Sequence, residues 1–126
     1  MTGGRSPKRV GSQWERDVRD YLNAHEVPTA RAYGAGRRDD QGDLLLGTPL
    51  GFLLECKAHR ELRLAEWLNE ARAKCHPGDV PWIIARRRNA GAGRAYAVTD
   101  LEGLALVTRQ LTRPGDFGPV EDLGTT

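Results

Sequence analysis

The sequence predicts a mixed α/β fold in which one β-sheet is covered by helices on both faces. Apolar residues recur at helical spacing in three segments and form short strand-like runs in five others. The two kinds of segment follow each other in the order α-β-β-β-α-β-β-α. Helices interleaved with strands are typical of a sheet that buries both faces. A chain of 126 residues is long enough to build one such domain with its own core.

The first helix is predicted to begin at Ser12 and to continue to about Glu26. Residues 12–15, Ser-Gln-Trp-Glu, match a capping box, and Pro28 ends the helical pattern. Residues 29–33 then predict a short strand, which is followed by a Gly-rich loop. The helix is supported by one apolar stripe, made of Trp14, Val18, Tyr21 and Leu22.

Two apolar runs, residues 43–46 and 52–57, predict a β-hairpin with its turn centred on Pro49. A loop with an even number of residues would shift the register by one and would move every side chain to the other face. The chemistry of the hairpin therefore depends on its register. With the turn at Pro49, one face becomes a core surface, made of Leu44, Leu46, Phe52, Leu54 and Cys56.

Three charged residues share the remaining face of this hairpin. Asp43 lies directly opposite Glu55, and Lys57 projects from the same face two residues further along. Two facing carboxylates repel each other unless a cation lies between them. A hard divalent ion such as Mg²⁺ suits this position because it prefers oxygen ligands. A structural alternative stays open, since Glu-x-Lys is also common on a solvated face and an even-numbered loop would place Asp43 opposite Leu54.

Beyond the hairpin, the pattern predicts a second helix, two strands and a third helix. The second helix ends at residues 76–78, His-Pro-Gly. Residues 80–85 and 94–98 predict the strands, and Asp100 is expected to cap a helix over residues 101–111, a segment that could also form a strand. The second helix has an apolar stripe of Leu64, Trp67, Leu68, Ala71 and Cys75, with Glu66, Asn69, Glu70 and Lys74 directed outward.

The chain is expected to comprise a flexible basic N-terminus over residues 1–11, a single domain over residues 12–113 and a Gly/Pro-rich acidic tail over residues 114–126. Its longest apolar runs are about five residues, too short to span a bilayer. The N-terminus lacks the apolar core of a signal peptide. Cys56 and Cys75 lie in apolar patterns and are expected to be buried thiols. We therefore expect a cytoplasmic location and no membrane partner.

The formal net charge of +2 is distributed unevenly. The tail contains three acids and no base, which leaves 19 bases and 14 acids, a net charge of +5, over residues 1–113. Arginine clusters in Gly-rich segments are typical of proteins that bind a phosphate backbone, although such loops can also be merely solvated. The glycines of residues 34–36 lead into no helix, so no nucleotide cofactor is expected. The candidate DNA-binding residues are Arg31, Arg37, Arg38, Arg60, Arg86, Arg87 and Arg88.

A helix that contains a glutamate, then an aspartate, then Glu-x-Lys, a helix and a strand resembles the PD-(D/E)xK nucleases. Within that superfamily the chain is most similar to the small Holliday-junction resolvases of archaeal and phage type. The resemblance covers roughly residues 11–86, with Gly42 in place of the proline that names the motif. It implies a restriction-endonuclease-like fold and a Mg²⁺-dependent endonuclease, a homodimer that cuts four-way DNA junctions in a prokaryotic or phage-infected cytoplasm. The matching positions are Glu15, Arg31, Asp43, Glu55 and Lys57.

The resemblance also implies roles for individual residues. Asp43 and Glu55 would bind Mg²⁺, or Mn²⁺ in its place, with the backbone carbonyl of Cys56 as a further oxygen ligand. Lys57 would orient the attacking water or stabilise developing charge. Glu15 would assist catalysis through water or a neighbouring ligand, or would serve only as a helix cap. Two other functions stay open: a repair, restriction or flap nuclease of the same superfamily, and a non-catalytic DNA-binding module.

Overall fold

The computed structural model describes residues 7–31, 43–48, 50–113 and 115–116. Its helices and its five-stranded mixed sheet follow the order α-β-β-β-α-β-β-α, which confirms the predicted α/β class and element order. A short 3₁₀ turn, Ala92–Arg94, precedes the last strand. The elements are α1 (Pro7–Ala24), β1 (Thr29–Arg31), β2 (Asp43–Leu46), β3 (Phe52–Lys57), α2 (Leu64–Lys74), β4 (Val80–Ala85), β5 (Tyr96–Val98) and α3 (Leu101–Leu111).

The strands lie side by side in chain order, β1-β2-β3-β4-β5. Every neighbouring pair is antiparallel except β3 and β4, which run parallel with Lys57 beside Ala85. A parallel pair needs a crossover connection, and α2 provides it. The carboxyl ends of β3 and β4 consequently lie at the same edge of the sheet, where the loops that follow Lys57 and Ala85 begin.

One face of the sheet packs against α1. Trp14 and Val18 of the helix form a buried cluster with Leu44 and Leu54 of the hairpin. The indole N–H of Trp14 also donates to the carbonyl of Ile84, at 3.1 Å, and so fixes the helix over β4. This is the core surface that the sequence predicts, and it is completed by the half-buried hairpin residues Leu46, Phe52 and Cys56.

The other face packs against α2. Trp67 and Ala71 of this helix form a second buried cluster with Ile83 and Ala85 of β4. Glu55 lies directly beside Ile83 in the parallel pair, and neighbouring residues in register share a face. The acid-x-lysine strand of the hairpin therefore lies beneath α2, and its charged face is largely enclosed by the fold.

Helix α1 begins at Pro7, five residues before the predicted start at Ser12. Proline suits the first position of a helix because its missing N–H would have no partner there. The half-buried Val10 lies four residues before Trp14 and extends the apolar stripe by one turn. The capping-box interpretation is therefore wrong, and residues 7–11, assigned by the sequence to a flexible N-terminus, belong to the helix.

The last strand is shorter than predicted, because residues 92–94 form a 3₁₀ turn and β5 begins only at Tyr96. Gly93 lies so close to Tyr21 of α1 that an added Cβ would be 2.6–2.8 Å from the tyrosine ring and hydroxyl. Helix α3 has the predicted bounds. The carboxylate of Asp100 accepts the N–H of Gly103 at 2.8 Å, which confirms the predicted cap.

The structure also bears on the expectations about membrane spans, cysteines and the acidic tail. Within the described ranges, the structure contains no helix long and apolar enough to cross a membrane. Cys56 and Cys75 are both thiols, as expected, but each is half-buried rather than buried. The acidic tail lies outside the described residues, except for residues 115 and 116.

Candidate active site

The hairpin has the register that a site between its strands requires. Asp43 lies directly opposite Glu55, and Leu45 lies opposite Leu53. The prediction is confirmed and the alternative register is excluded, because Leu54 lies opposite Leu44 rather than opposite Asp43. For Asp43 the structure describes the backbone alone, and the predicted position of its carboxylate lies outside the described atoms.

Glu55 is a buried carboxylate that contacts two ammonium groups. Its residue is only 4% exposed. The Nζ atom of Lys74 lies 3.2 Å from each of the two carboxylate oxygens, and Nζ of Lys57 lies 3.6 Å from Oε1. A buried charge is costly unless it is paired and hydrogen-bonded. The two lysines supply that pairing, so the glutamate can remain ionised beneath α2.

Lys57 is held between its glutamate and an aromatic ring. Its Nζ atom lies 5.6 Å from the centre of the Trp67 indole, within the range of a cation–π contact. Trp67 in turn packs against the His59 ring at a centroid distance of 5.4 Å. Because its side chain is only 18% exposed, Lys57 has little freedom to leave this position.

Lys74 is a site residue that sequence reasoning missed. The helical pattern directs it outward with Glu66, Asn69 and Glu70; those three are exposed, whereas Lys74 reaches over the sheet to Glu55. The signal lay in its spacing, since Lys74 follows the buried Ala71 by three residues and Trp67 by seven. Residues at such spacing share a helix face, so its ammonium group is directed toward the sheet.

Glu15 and Arg31 form a separate ion pair under α1. The residue Glu15 is 5% exposed, and its Oε1 lies 2.7 Å from Nε of Arg31. Arg31 pairs with Leu44 across the β1–β2 ladder, so it belongs to the sheet face that α1 covers. Glu15 therefore lies on the face of the sheet opposite Glu55, and Arg31 is a half-buried partner of this acid.

A basic groove of about 640 Å³ lies at the carboxyl ends of β3 and β4. It brings together three of the arginines predicted to bind DNA, together with His59, which the charge pattern did not indicate. Arg87 points elsewhere, since its guanidinium lies 5.2 Å from the centre of the Tyr96 ring. Arg37 and Arg38 lie outside the described residues. The groove is lined by Ala58, His59, Arg60, Arg86, Arg88 and Asn89.

A second groove, of about 590 Å³, adjoins this basic surface and is lined by Lys57, the lysine that contacts Glu55. His59 and Arg60 line both grooves. The second groove also contains Lys57 and Trp67, together with the exposed acids Glu61, Glu66 and Glu70. Lys57 and Arg60 therefore line the same groove, which the exposed acids also border.

The chemistry of the donor set is compatible with a hard divalent ion. Both oxygens of Glu55 already contact a cation, and the register places Asp43 across from it. Carboxylate and backbone carbonyl oxygens are the ligands that Mg²⁺ prefers. Within the described side chains, no group of three or more His, Cys, Asp or Glu residues converges on one point. The carbonyl of Cys56 stays a predicted ligand.

Comparison with protein-family models, with curated proteins and with solved structures finds no match. The geometry is therefore the basis on which a function can be argued. It consists of a buried carboxylate paired with two lysines, an aspartate across the ladder from it and a basic groove at the adjacent sheet edge.

Proposed function

We propose that this chain is a metal-dependent DNA endonuclease with a restriction-endonuclease-like fold. The observation that carries the proposal is the hairpin register, which pairs Asp43 with Glu55 and places Lys57 two residues further along the same strand. The basic groove beside Lys57 supports a polyanionic substrate. Such a groove contacts the phosphate backbone, which fixes the position of DNA without reading its sequence.

Each residue of the proposed site has a separate task. Asp43 and Glu55 would hold Mg²⁺ or Mn²⁺, with the Cys56 carbonyl as a further oxygen ligand; such an ion polarises phosphate and acidifies water. Lys57, fixed between Glu55 and Trp67, would direct its ammonium group at the water or at the phosphate oxygens. Glu15 would contribute by holding Arg31 in place.

The substrate that we propose is a four-way DNA junction, cut by a homodimer. A junction has approximate two-fold symmetry, so a symmetric pair of active sites can cut two opposing strands. Recognition would depend on charge and branch shape, because Arg60, Arg86 and Arg88 lie along one open groove. A repair, restriction or flap nuclease would use the same chemistry. It would differ from a junction resolvase only in the DNA that is cut.

Cleavage of labelled DNA by the full chain tests this proposal. With Mg²⁺, wild-type protein is expected to cut four-way junctions in preference to linear duplex, flaps and nicked DNA. Asp43→Asn and Glu55→Gln are expected to abolish cutting, and Lys57→Met is expected to slow it by about a hundredfold or more. Arg109→Gln, which removes an exposed charge from α3, should cut like wild type. Full cleavage by folded Asp43→Asn protein would refute the nuclease.

A non-catalytic DNA-binding module is the second candidate, and one observation favours it. Lys57 and Lys74 already neutralise the Glu55 carboxylate, as a purely structural ion cluster would. This alternative predicts DNA binding that is indifferent to Mg²⁺ and no cleavage of any branched or linear DNA. Binding and cleavage measured on the same junction distinguish the two candidates directly.

A further inference from the structure

The ammonium group of Lys74 lies symmetrically on the Glu55 carboxylate. Its Nζ atom is 3.2 Å from Oε1 and 3.2 Å from Oε2. Lys57 approaches Oε1 from a second direction, at 3.6 Å. One buried carboxylate is thus in contact with two cations, and Lys74 contacts both of the oxygens that a metal ion would need.

A divalent ion and two ammonium groups would repel one another at this carboxylate. Like charges within about 4–6 Å disfavour each other, and the effect is stronger where burial limits screening by water. Glu55 is only 4% exposed. Binding of a divalent ion to its oxygens therefore favours the departure of one lysine.

The two lysines differ in their freedom to move. The Lys57 side chain is 18% exposed and packs against the Trp67 indole. The Lys74 side chain is 35% exposed and belongs to the last residue of α2, where the helix ends. A lysine at such a position can turn its charged end into water while its stem stays on the protein. Lys74 is consequently the cation that can leave.

We propose that Lys74 occupies the Glu55 carboxylate in the metal-free protein and swings into solvent when a divalent ion binds. In the metal-free protein, Lys74 is a positioning residue that keeps the buried glutamate paired. Because the metal must displace it, Lys74 also sets the metal concentration at which the site fills. This inference rests on the proposed nuclease function, since it assumes a metal at Glu55. It concerns metal affinity, however, and can be tested without DNA.

Titration of the full chain with Mn²⁺, followed by electron paramagnetic resonance of the free ion, measures the effect. Lys74→Gln is expected to bind Mn²⁺ at least about tenfold more tightly than wild type, because a competing charge is removed. Lys74→Arg, which keeps the charge, should bind no more tightly than wild type. Arg109→Gln, which changes the net charge equally from an exposed position on α3, should match wild type.

The outcomes separate this inference from the nuclease proposal. If wild type binds Mn²⁺ through Glu55 but Lys74→Gln binds it equally or more weakly, Lys74 is not a competitor and the inference is wrong. If Glu55→Gln binds Mn²⁺ as well as wild type does, or if wild type binds none, the metal site itself is wrong and the inference is overturned with it.

Amine labelling of wild-type protein provides a second measurement that needs no variant. The chain has three lysines, Lys8, Lys57 and Lys74, so each can be followed in its own peptide by mass spectrometry. Labelling of Lys74 is expected to rise several-fold when Mn²⁺ is added, whereas labelling of Lys57 stays low, and Lys8 serves as the reference. Unchanged labelling of Lys74 at saturating Mn²⁺ would overturn the proposal.

Discussion

Glu15 and Arg31 form an ion pair in which the acid is buried and the base is partly hydrated. The Oε1–Nε distance is 2.7 Å, and the two side chains are 6% and 35% exposed. The pair connects the middle of α1 to β1, the outermost strand on that side of the sheet. Because the two partners differ in exposure, removing one or the other should have unequal effects.

Arg31→Gln is expected to destabilise the fold more than Glu15→Gln. Loss of the arginine leaves a buried carboxylate without this cation, which costs about 3 kcal/mol or more. Glu15→Gln keeps an oxygen beside the guanidinium, whose side chain is 35% exposed, so a smaller cost of about 1–2 kcal/mol is expected. Urea unfolding of both variants measures the two free energies. Equal costs would show that the burial of Glu15 does not control the energetics of the pair.

The Asp100–Arg72 pair connects α2 and α3 in a similar way. Nη2 of Arg72 lies 2.7 Å from both Asp100 oxygens, and Nη1 lies 2.8 Å from Glu102. Partial burial alone would raise the pKa of Asp100, but hydrogen bonds from Arg72 and the Gly103 N–H outweigh it and hold the pKa below its ordinary value of 3.8. Asp100 therefore stabilises the fold when it is ionised.

The lowered pKa of Asp100 predicts a definite dependence of stability on pH. Its contribution is fully present above the ordinary value of 3.8 and is lost as the pH falls through the lower folded-state pKa. Asp100→Asn keeps a capping side chain but removes the charge, so it should cost about 1 kcal/mol at pH 7 and progressively less below pH 4.

Urea unfolding of wild type and Asp100→Asn between pH 7 and pH 3 measures the gap between their free energies of unfolding. Asp20→Asn, at a position whose side chain is 74% exposed, is the control for loss of a carboxylate. A gap between wild type and Asp100→Asn that widened as the pH fell would contradict the assigned direction of the pKa shift.

Two helical glycines should respond in opposite ways to the same substitution. A Cβ at Gly103 of α3 would collide with Oγ1 of Thr99 and would lie 2.9 Å from Cγ1 of the buried Val80. Gly103→Ala should therefore cost about 1–3 kcal/mol, despite the higher helix propensity of alanine. Gly11 of α1 has no atom within 4 Å of an added Cβ, so Gly11→Ala should stabilise by about 0.5–1 kcal/mol.

Thermal and urea unfolding of the two variants check this pair. The same chemical change is made in both helices, so the contribution of helix propensity cancels when the two changes in the free energy of unfolding are compared. The difference that is left reports the close approach of α3 to β4. If Gly103→Ala were as stable as wild type, Thr99 and Val80 would have to move aside at no cost, and the packing argument for that glycine would fail.

The hairpin register could be predicted from sequence because both faces of the ribbon constrain it. A one-residue slip of β2 would turn Leu44 away from the α1 core and would place Asp43 beneath α1, so the apolar pattern selects one pairing. The cap of α3 was equally predictable, since the side chain of Asp100 accepts an N–H only three residues away. Local contacts and strict alternation are the information that a sequence carries most directly.

The start of α1 and the position of Lys74 depend on packing that a local pattern does not contain. A capping box at Ser12 describes a possible helix start, but the half-buried Val10 lies four residues before Trp14 on the same stripe, and the helix begins at Pro7. A lysine in a helix is assigned to solvent by its charge. The buried Glu55, 19 residues away in sequence, reverses that preference, because its carboxylate needs a cation.

The basic groove predicts which arginines contribute to DNA binding. Arg86→Gln and Arg88→Gln should each weaken binding of a labelled junction. Each should also make the negative slope of log K against log salt shallower, by about 0.9 for each phosphate that is no longer neutralised. Arg87→Gln should have a smaller effect, because its guanidinium lies over Tyr96 and donates to the carbonyl of Arg94 at 3.3 Å. Fluorescence anisotropy across a salt series measures both quantities, with Arg109→Gln as the exposed control. A steeper loss for Arg87→Gln than for Arg88→Gln would move the binding surface away from the groove and toward β5.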